Sequence, residues 1–369
     1  MNHADSIPAS LRSSAAGAGE PLLQSLRRTE SGDAVEILDQ TRLPRERVTV
    51  SLRTLDDAAL AIRTMQVRGA PLIGVTAAYG LALSMQQDSS DAGIEAACLA
   101  LLATRPTAIN LRWALERVRA AIQPVAAAQR AHTAWREADA IAAEDIATNR
   151  AIGEHGLPLI NALAGAGKRP VRILTHCNAG ALATLGWGTA TAPIYLAHAA
   201  GIAVHVWVSE TRPRLQGAKL TSWEMHHYGV PHSLIVDSAG AALMQRGEVD
   251  LVFVGADRVT RNGDVCNKVG TYEKALAAHD CGVPFYVALP STTIDWTLAA
   301  WRDIPIEQRA ADEVLRPGNG DSIAPDDTPV ANPAFDVTPA RLVTGLITER
   351  GVCAASAAAL TKLFPECAR

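Results

Sequence analysis

The stretch that decides the fold is DLVFVGADRVTRNGDVCNKVGTYEK, residues 250–274. Leu251 to Val254 form a short apolar run rich in β-branched residues, which is typical of a strand buried on both faces of a parallel sheet. Gly255 and Ala256 end this run, and Asp257 follows. Ligands of open α/β sheets bind beyond the carboxyl ends of the strands, so Asp257 is predicted to lie where a reacting group would be placed.

The segment after Asp257 is predicted to be a glycine-punctuated loop. Its residues 262–264, Asn-Gly-Asp, have turn chemistry, and Asn267 and Lys268 place an amide and a cation near the acid. A purely structural interpretation stays open at this point. In that interpretation Asp257 caps a turn and Lys268 is solvated, since acids at strand ends have both uses.

Composition bounds the class of protein. The chain has 369 residues, of which 48% are hydrophobic and 20% charged, so it is long enough for two domains with their own cores. A net charge of −4 provides no bulk attraction to nucleic acid or to an anionic membrane. The six cysteines include no C-x-x-C pair and no His/Cys cluster at zinc spacing, so we expect free thiols and no metal.

The N-terminus and the apolar runs indicate the compartment. Residues 1–25 are small and polar, lack the apolar core of a secretory signal, and are predicted to form a flexible tail. No later apolar run is long enough to span a bilayer. We therefore expect a cytoplasmic protein with no membrane partner.

Residues 26–168 are predicted to form a small β element followed by a helical domain. The segments VEILDQTRLP and RVTVSLRTL, which follow Ala34, alternate in polarity around a proline-containing turn and predict a hairpin. Residues 90–165 are rich in Ala, Leu, Glu and Arg with apolar spacing of three and four, which predicts several helices.

A break in the helical pattern at Arg68-Gly69-Ala70-Pro71 is a candidate anion site. Gly69 lets a ligand approach the backbone, Arg68 can form a bidentate pair with phosphate, and free amides at a helix start favour an anion. The alternative is a plain turn between helices with a solvated arginine. Arg105, just before a helix predicted from about Ala108, is a second candidate, although many such arginines are only surface charge.

Residues 169–369 show strands alternating with helices, which predicts a βαβ domain with a parallel sheet. The predicted strands are residues 171–176, 204–208, 233–236, 251–254 and 285–289. If they are parallel, one carboxyl edge collects Cys177, Gln216, Asp237 and Asp257. The first three also have purely structural interpretations. Cys177 could be a small buried hydrophobic residue, Gln216 a surface residue of a loop, and Asp237 a helix cap.

The chain contains five longer motifs, RGAP (68–71), HCNAGALAT (176–184), ETRPRLQGAKLTSWE (210–224), GADRVTRNGDVCNKVGTY (255–272) and NPAFDVTP (332–339). Together they resemble one family, the methylthioribose-1-phosphate isomerases. The superfamily also contains archaeal ribose-1,5-bisphosphate isomerases and the regulatory subunits of eukaryotic initiation factor 2B. The resemblance covers about residue 34 to the C-terminus. It implies an α/β fold in which a small β element and a helical domain precede a Rossmann-like catalytic domain, usually in a homodimer.

The resemblance also implies roles for individual residues. Catalysis would fall to Cys177 and Asp257, and no metal or organic cofactor is implied. A sugar phosphate would be held by the residues that match the family's substrate set, namely Arg68, Gly69, Ala70, Arg105, Gln216, Asn267 and Lys268. Departures from the family's usual residues occur at Ala179, Ser209, Cys266 and Gln308.

Those departures keep alternatives open. One is another 5-modified ribose 1-phosphate as substrate, such as 5-deoxyribose 1-phosphate or ribose 1,5-bisphosphate. A regulatory subunit of the initiation-factor type would need no pair like Cys177 and Asp257, and a sugar-phosphate sensor would bind without turnover.

The implied chemistry explains the residue types. A ribose 1-phosphate cannot open to an aldehyde because its anomeric oxygen carries the phosphate, so the ring must be forced open. A protonated Asp257 could donate to the ring oxygen if burial raises its pKa. Cys177 could then move the C2 proton, or it could orient and stabilise the sugar during a 1,2-hydride shift. The sequence leaves both routes open.

Overall fold

The computed structural model describes residues 23–165 and 169–367. The predicted tail therefore lies outside the described residues up to residue 22. Its predicted end at residue 25 is too late, because Leu23 is buried and the Ser25 hydroxyl donates to the Ala181 carbonyl oxygen at 2.7 Å. The division into residues 26–168 and 169–369 remains a prediction.

The chain begins with a small antiparallel sheet of three strands, β1 (Leu26–Arg28), β2 (Val35–Leu38) and β3 (Thr49–Leu52). The β2–β3 pair is the hairpin expected from the alternating segments, with Val35 opposite Leu52. Strand β1 adds a third strand that was too short to show a periodicity.

A bundle of helices follows, comprising α1 (Leu55–Arg63), α2 (Ala70–Ser84), α3 (Asp91–Leu102), α4 (Ile109–Ile122) and α5 (Ala127–Ala164). Thr54 and Asp57 form a capping box that starts α1. Every residue of α2 is buried, as expected for a helix that is apolar on all sides and surrounded by other helices. The predicted helical region is confirmed.

The rest of the described chain alternates strands and helices. Its strands are β4 (Val171–Thr175), β5 (Val204–Ser209), β6 (His232–Ile235), β7 (Leu251–Val254), β8 (Arg258–Thr260), β9 (Val265–Lys268), β10 (Phe285–Ala288), β11 (Ile294–Asp295), β12 (Phe335–Thr338), β13 (Gly345–Thr348) and β14 (Gly351–Cys353). Its α-helices are α6 (Ala192–Ala199), α7 (Ser222–His227), α8 (Ala239–Gln245), α9 (Thr271–Asp280), α10 (Asp312–Leu315) and α11 (Ala357–Leu363).

The main sheet has the order β14-β13-β10-β7-β4-β5-β6, and all of its neighbours are parallel except β13 and β14. The five strands predicted in this half of the chain are all present within one residue of their expected starts. Strand β7 lies at the centre and is fully buried, as its unbroken apolar run predicted. The predicted α/β fold class is confirmed.

A second sheet has the order β11-β8-β9-β12, and its strand β8 begins four residues after the carboxyl end of β7. The segment predicted as a loop after Asp257 is instead the β8–β9 hairpin, so that prediction is wrong for Asn267 and Lys268, which lie on β9. The predicted Asn-Gly-Asp turn does join the two strands, with Gly263 at φ 89°. Pairing of β9 with β12 buries the two polar residues between strands.

The apolar cores follow this architecture. One core lies around α2 in the helical bundle, and two others lie on the two faces of the main sheet, with Phe253 and Phe285 among their fully buried side chains. Within residues 23–165 and 169–367, no helix combines the length and the apolar character needed to cross a membrane.

Candidate active site

Cys177 lies in the first turn after β4, at the carboxyl edge of the main sheet, where the sequence placed it. Its amide N–H donates to the Thr211 hydroxyl at 2.8 Å, and its carbonyl oxygen accepts from the Thr221 hydroxyl at 2.7 Å. Only 8% of the residue is exposed. The two threonines hold the peptide groups on both sides of the thiol in place.

The backbone around this cysteine is strained. Cys177, Thr211 and Leu215 have φ values of 63°, 67° and 63°, in the left-handed region that residues with side chains rarely adopt. Such strain persists only where the surrounding structure enforces it, and it concentrates at functional sites. The hydrogen bonds from the threonines supply that enforcement here.

Asp257 lines the same cavity as Cys177. Its amide N–H donates to the Cys266 carbonyl oxygen at 2.9 Å, which fixes the residue between β7 and the small sheet. Burial raises the pKa of Asp257 above its ordinary value, although the cations of Lys268, Arg68 and Arg105 act against the shift. The raised pKa agrees in direction with the one the ring-opening chemistry requires.

Lys268 and Asn267 reach the site from β9. The Lys268 ammonium donates to the Ala334 carbonyl oxygen at 2.7 Å and lies 4.7 Å from the centre of the Phe335 ring. Burial lowers the pKa of Lys268, while Cys177 and Asp257 act in the opposite direction. The Asn267 amide donates to the Thr271 hydroxyl at 3.0 Å. These contacts hold a buried cation and an amide beside the cysteine and the aspartate.

Arg68 approaches from the helical bundle and is held by Asn178. Its guanidinium donates to the Asn178 side-chain oxygen at 2.5 Å and to the Asn178 carbonyl oxygen at 2.8 Å. The Asn178 amide in turn donates to the carboxylate of Glu224 at 2.9 Å. The solvated-turn interpretation of Arg68 is therefore not what the structure shows.

Glu224 is a residue that the sequence reading missed. It is fully buried, and its carboxylate also accepts from the amides of Ala181 and Leu182 and from the Tyr195 hydroxyl, at 2.7–2.9 Å. A side chain at Gly180 would collide with this carboxylate, since its Cβ would lie 1.9 Å from an oxygen. A glycine opposite a buried acid is a tertiary relation that no local spacing reveals.

The amino end of α2 faces the same cavity. Gly69 precedes the helix with φ 94°, and a Cβ there would lie 2.5 Å from Ala183, so only glycine fits. The free amides of the first turn, beginning at Ala70, favour an anion. The cavity has a volume of about 30 Å³, and its wall includes Arg68, Gly69, Ala70, Cys177, Asp257 and Asn267.

Two of the expected substrate residues lie beside this cavity. Arg105 forms an ion pair with Glu307 at 3.2 Å, and its Nε has no hydrogen-bond acceptor in the described part of the chain. It lines a second small cavity that shares Ala70 and Asp257 with the first. Gln216 lines a larger cavity that also has Arg68 in its wall.

Asp237, also predicted at this edge, does not reach the reacting groups. Its carboxylate accepts from the Ser209 hydroxyl and from the amides of Thr211 and Arg212, at 2.5–2.9 Å. Because Thr211 accepts from the amide of Cys177, Asp237 acts on the site by positioning this loop. It does not serve as the cap of α8, which has no side-chain cap hydrogen bond.

The six cysteines are free thiols, as expected. Among the described residues, no group of three or more His, Cys, Asp or Glu side chains is arranged to hold a metal ion.

The fold and the site can be compared with known proteins. A sequence model described as the Initiation factor 2 subunit family matches residues 66–355. The chain therefore belongs to the Initiation factor 2 subunit family.

Within that family the chain is similar to methylthioribose-1-phosphate isomerases. It is 60% identical to the protein of that name from Rhodospirillum rubrum. The alignment spans 350 residues and covers 91% of this chain and 90% of the relative. A crystal structure of 5-methylthioribose 1-phosphate isomerase from Pyrococcus horikoshii matches with a TM-score of 0.83, 40% identity and coverage of 94% of this chain and 96% of that one.

The chain also matches a solved structure of the translation initiation factor eIF-2B, subunit delta, from A. fulgidus. The TM-score is 0.79 and the identity 38%, and the match covers 93% of this chain and 99% of that one. The resemblance expected from the motifs is confirmed.

Proposed function

We propose that this protein is an aldose–ketose isomerase that converts 5-methylthio-α-D-ribose 1-phosphate to 5-methylthio-D-ribulose 1-phosphate, a step of methionine salvage. The observation that carries the proposal is the placement of Cys177 and Asp257 in the wall of one cavity, with the cations of Arg68 and Lys268 beside them. Relatives about 60% identical bear the name of this enzyme. A regulatory or sensing protein would have no use for such a pair.

Asp257 opens the ring in this proposal. Burial favours its neutral form, so it can give a proton to the ring oxygen as the bond from that oxygen to C1 breaks. The positive charge left at C1 is shared with the oxygen that bears the phosphate. Once deprotonated, Asp257 can accept the proton of the C2 hydroxyl as the ketone forms, which returns Asp257 to its neutral form.

The hydrogen on C2 must move to C1 between these two proton transfers. Burial raises the pKa of the Cys177 thiol above its ordinary value, although Arg68 and Lys268 act against the shift. A neutral thiol is a poor base, and this favours a 1,2-hydride shift in which Cys177 packs against the reacting carbons. No deuterium should then enter C1 of the product in D₂O, whereas proton abstraction by a thiolate would allow its entry.

The phosphate has a natural binding place at the start of α2. Free backbone amides after Gly69 and the side chain of Arg68 supply N–H donors and positive charge at the wall of the small cavity, and Arg105 lines the cavity beside it. The cation of Lys268 also acts on Asp257. Asn267 adds a neutral donor at the same wall. These residues are the set that we assign to substrate binding together with Gln216.

The test is direct. The purified protein is incubated with 5-methylthioribose 1-phosphate, and ¹³C NMR follows the appearance of a ketone carbon. We expect turnover, with a higher kcat/KM than for ribose 1,5-bisphosphate or 5-deoxyribose 1-phosphate. Binding without a ketone product would support a sensor, and a higher kcat/KM for the bisphosphate would reassign the substrate.

Two further features belong to this proposal. We propose that the protein works as a homodimer in the cytoplasm, as the family resemblance implies. Light scattering coupled to size-exclusion chromatography should give twice the mass of one chain, and a single-chain mass at micromolar concentration would contradict the dimer.

A further inference from the structure

A second cavity has Arg68 in its wall and is much larger than the cavity around Cys177 and Asp257. Its volume is about 480 Å³, compared with about 30 Å³ around Cys177 and Asp257. The smaller cavity has room for only one or two water molecules. A sugar phosphate that presents its C2 and its ring oxygen to Cys177 and Asp257 must therefore extend beyond it, and the larger cavity shares Arg68 with it.

Two buried glutamines in the wall of the larger cavity each have a side-chain oxygen without a hydrogen-bond partner. Gln40 and Gln216 are 4% and 7% exposed, and no donor in the described part of the chain reaches the Oε1 of either residue. A buried acceptor without a donor costs free energy, so a pair of them in one cavity wall indicates that a ligand supplies the donors.

The orientation of Gln40 is fixed. This residue follows β2 in the N-terminal sheet, and its backbone N–H donates to the Gln66 carbonyl oxygen at 2.9 Å. Its side-chain N–H₂ donates to the Leu182 carbonyl oxygen at 2.6 Å. Because the nitrogen of the amide is bound to this carbonyl, the oxygen is the end that is left for a ligand.

The wall of the larger cavity has more cations than acids, with Arg68, Arg214, Lys219 and Arg316 against Asp312 and Glu313, so the kind of ligand group is decided by the amide oxygens. Arg214 is paired with Glu313 at 2.7 Å, and Arg316 is paired with Asp312 and Asp326. Lys219 is a further donor in the wall. Amide oxygens need a partner that carries a hydrogen, which a phosphate dianion lacks and a hydroxyl has, and the oxygen of that hydroxyl can accept from the lysine.

We propose that Gln40 is a further substrate-binding residue, which accepts a hydrogen bond from the C3 hydroxyl of the sugar. This inference rests on the proposed function and extends it to the N-terminal sheet. The reacting C2 and ring oxygen occupy the small cavity, so the C3 hydroxyl is the sugar hydroxyl left to face the larger one. Gln216 is the neighbouring acceptor in the same wall.

The experiment compares two substrates in two proteins. Gln40→Met has a similar length and no hydrogen-bonding amide, and the 3-deoxy analogue of 5-methylthioribose 1-phosphate can still isomerise at C1 and C2. We expect kcat/KM of the wild type to fall about tenfold when the 3-hydroxyl is removed, the size typical of one lost hydrogen bond. Gln40→Met should show the same loss on the full substrate and no further loss on the analogue.

Controls separate binding from a structural role. Gln129→Met, at an exposed position of α5, should behave as the wild type on both substrates. Gln40→Glu keeps an acceptor oxygen and loses the donor to Leu182. This variant should therefore keep a higher kcat/KM for the substrate with the 3-hydroxyl than for the 3-deoxy analogue. If Gln40→Met does not fold, Gln40→Glu alone tests the inference.

The inference would be overturned if Gln40→Met lost kcat/KM equally on the full substrate and on the 3-deoxy analogue. It would also be overturned if Gln40→Glu no longer had a higher kcat/KM for the full substrate than for the analogue. If the wild type turns over the full substrate but the effects of the 3-hydroxyl and of Gln40 on kcat/KM are independent, only this inference is overturned. A wild type that yields no ketone would instead overturn the proposed function.

Discussion

Strand β7 begins and ends beside a carboxylate, and the two carboxylates lie in opposite environments. Asp250, just before the strand, accepts from both Nη atoms of Arg169 at 2.7 and 2.8 Å and from the amide of Arg172 at 2.8 Å. Burial raises the pKa of Asp250, but these bonds outweigh it and hold the pKa well below its usual range. At the other end, burial dominates and raises the pKa of Asp257.

Asp250 is a carboxylate that stabilises the fold, whereas Asp257 lies in a setting that suits a proton donor. Asp250 has bidentate cationic partners, which satisfy its charge in the folded state. Asp257 has cations in its surroundings but stays in a setting that favours its proton. The same strand therefore gains stability at its amino end and gives some up at its carboxyl end, where the candidate site lies.

The largest expected effect is on turnover. Asp257→Asn keeps the shape of the side chain but removes the acidic proton, so kcat should fall by about 10²- to 10⁴-fold, the usual range for a lost general acid. Asp250→Asn is the matched control and should keep wild-type kcat, because Asp250 lies at the far end of the strand. Turnover of Asp257→Asn within tenfold of the wild type, measured by NMR, would contradict the assigned role.

A smaller effect is expected on stability at the amino end. Asp250→Asn should lower the free energy of unfolding by about 2 kcal/mol at pH 7, since it weakens charged hydrogen bonds. The folded-state pKa of Asp250 is depressed, so its contribution is present above the unfolded value of about 3.9 and is lost as the pH falls through the folded-state pKa. Urea unfolding should therefore show the difference between the variant and the wild type shrink below about pH 4. A difference that stays constant there would argue against an ionic origin.

The smallest effect has the opposite sign. The folded-state pKa of Asp257 is raised, so its contribution to stability is full below the unfolded value of about 3.9 and is lost as the pH rises toward the folded-state pKa. Asp257→Asn removes this loss and should unfold at an equal or higher temperature than the wild type at pH 7, with a gain of about 1 kcal/mol at most. A clearly lower melting temperature would show that the charged carboxylate stabilises the site.

Much of the fold could be predicted because its signals are local. The five predicted strands of the main sheet are apolar runs that end at small or polar residues, and the rule that ligands bind at carboxyl ends led from them to Cys177 and Asp257. The break before α2 was visible because Gly69 and Pro71 are strong punctuation. These features depend on residues close together in the chain.

The remainder depends on contacts that sequence spacing does not contain. Strand β9 contains Asn267 and Lys268, whose polarity indicates a loop, and only pairing with β12 makes it a buried strand. Glu224 lies on α7 with no pattern around it, and Gln40 follows a strand of the N-terminal sheet, which is separate from the main sheet. Polar residues that break local rules at a functional site are where reading from sequence is expected to fail.

The measurement that tests the contrast between the two ends of β7 most directly is the titration of both carboxyl groups in one sample. The protein is labelled with ¹³C at the aspartate carboxyl carbons, and the two signals are assigned from Asp250→Asn and Asp257→Asn. The pKa of Asp257 should lie above the ordinary aspartate value of about 3.9 and that of Asp250 below it. An Asp257 carboxyl that loses its proton at or below this value would contradict its proposed role as the acid that opens the ring.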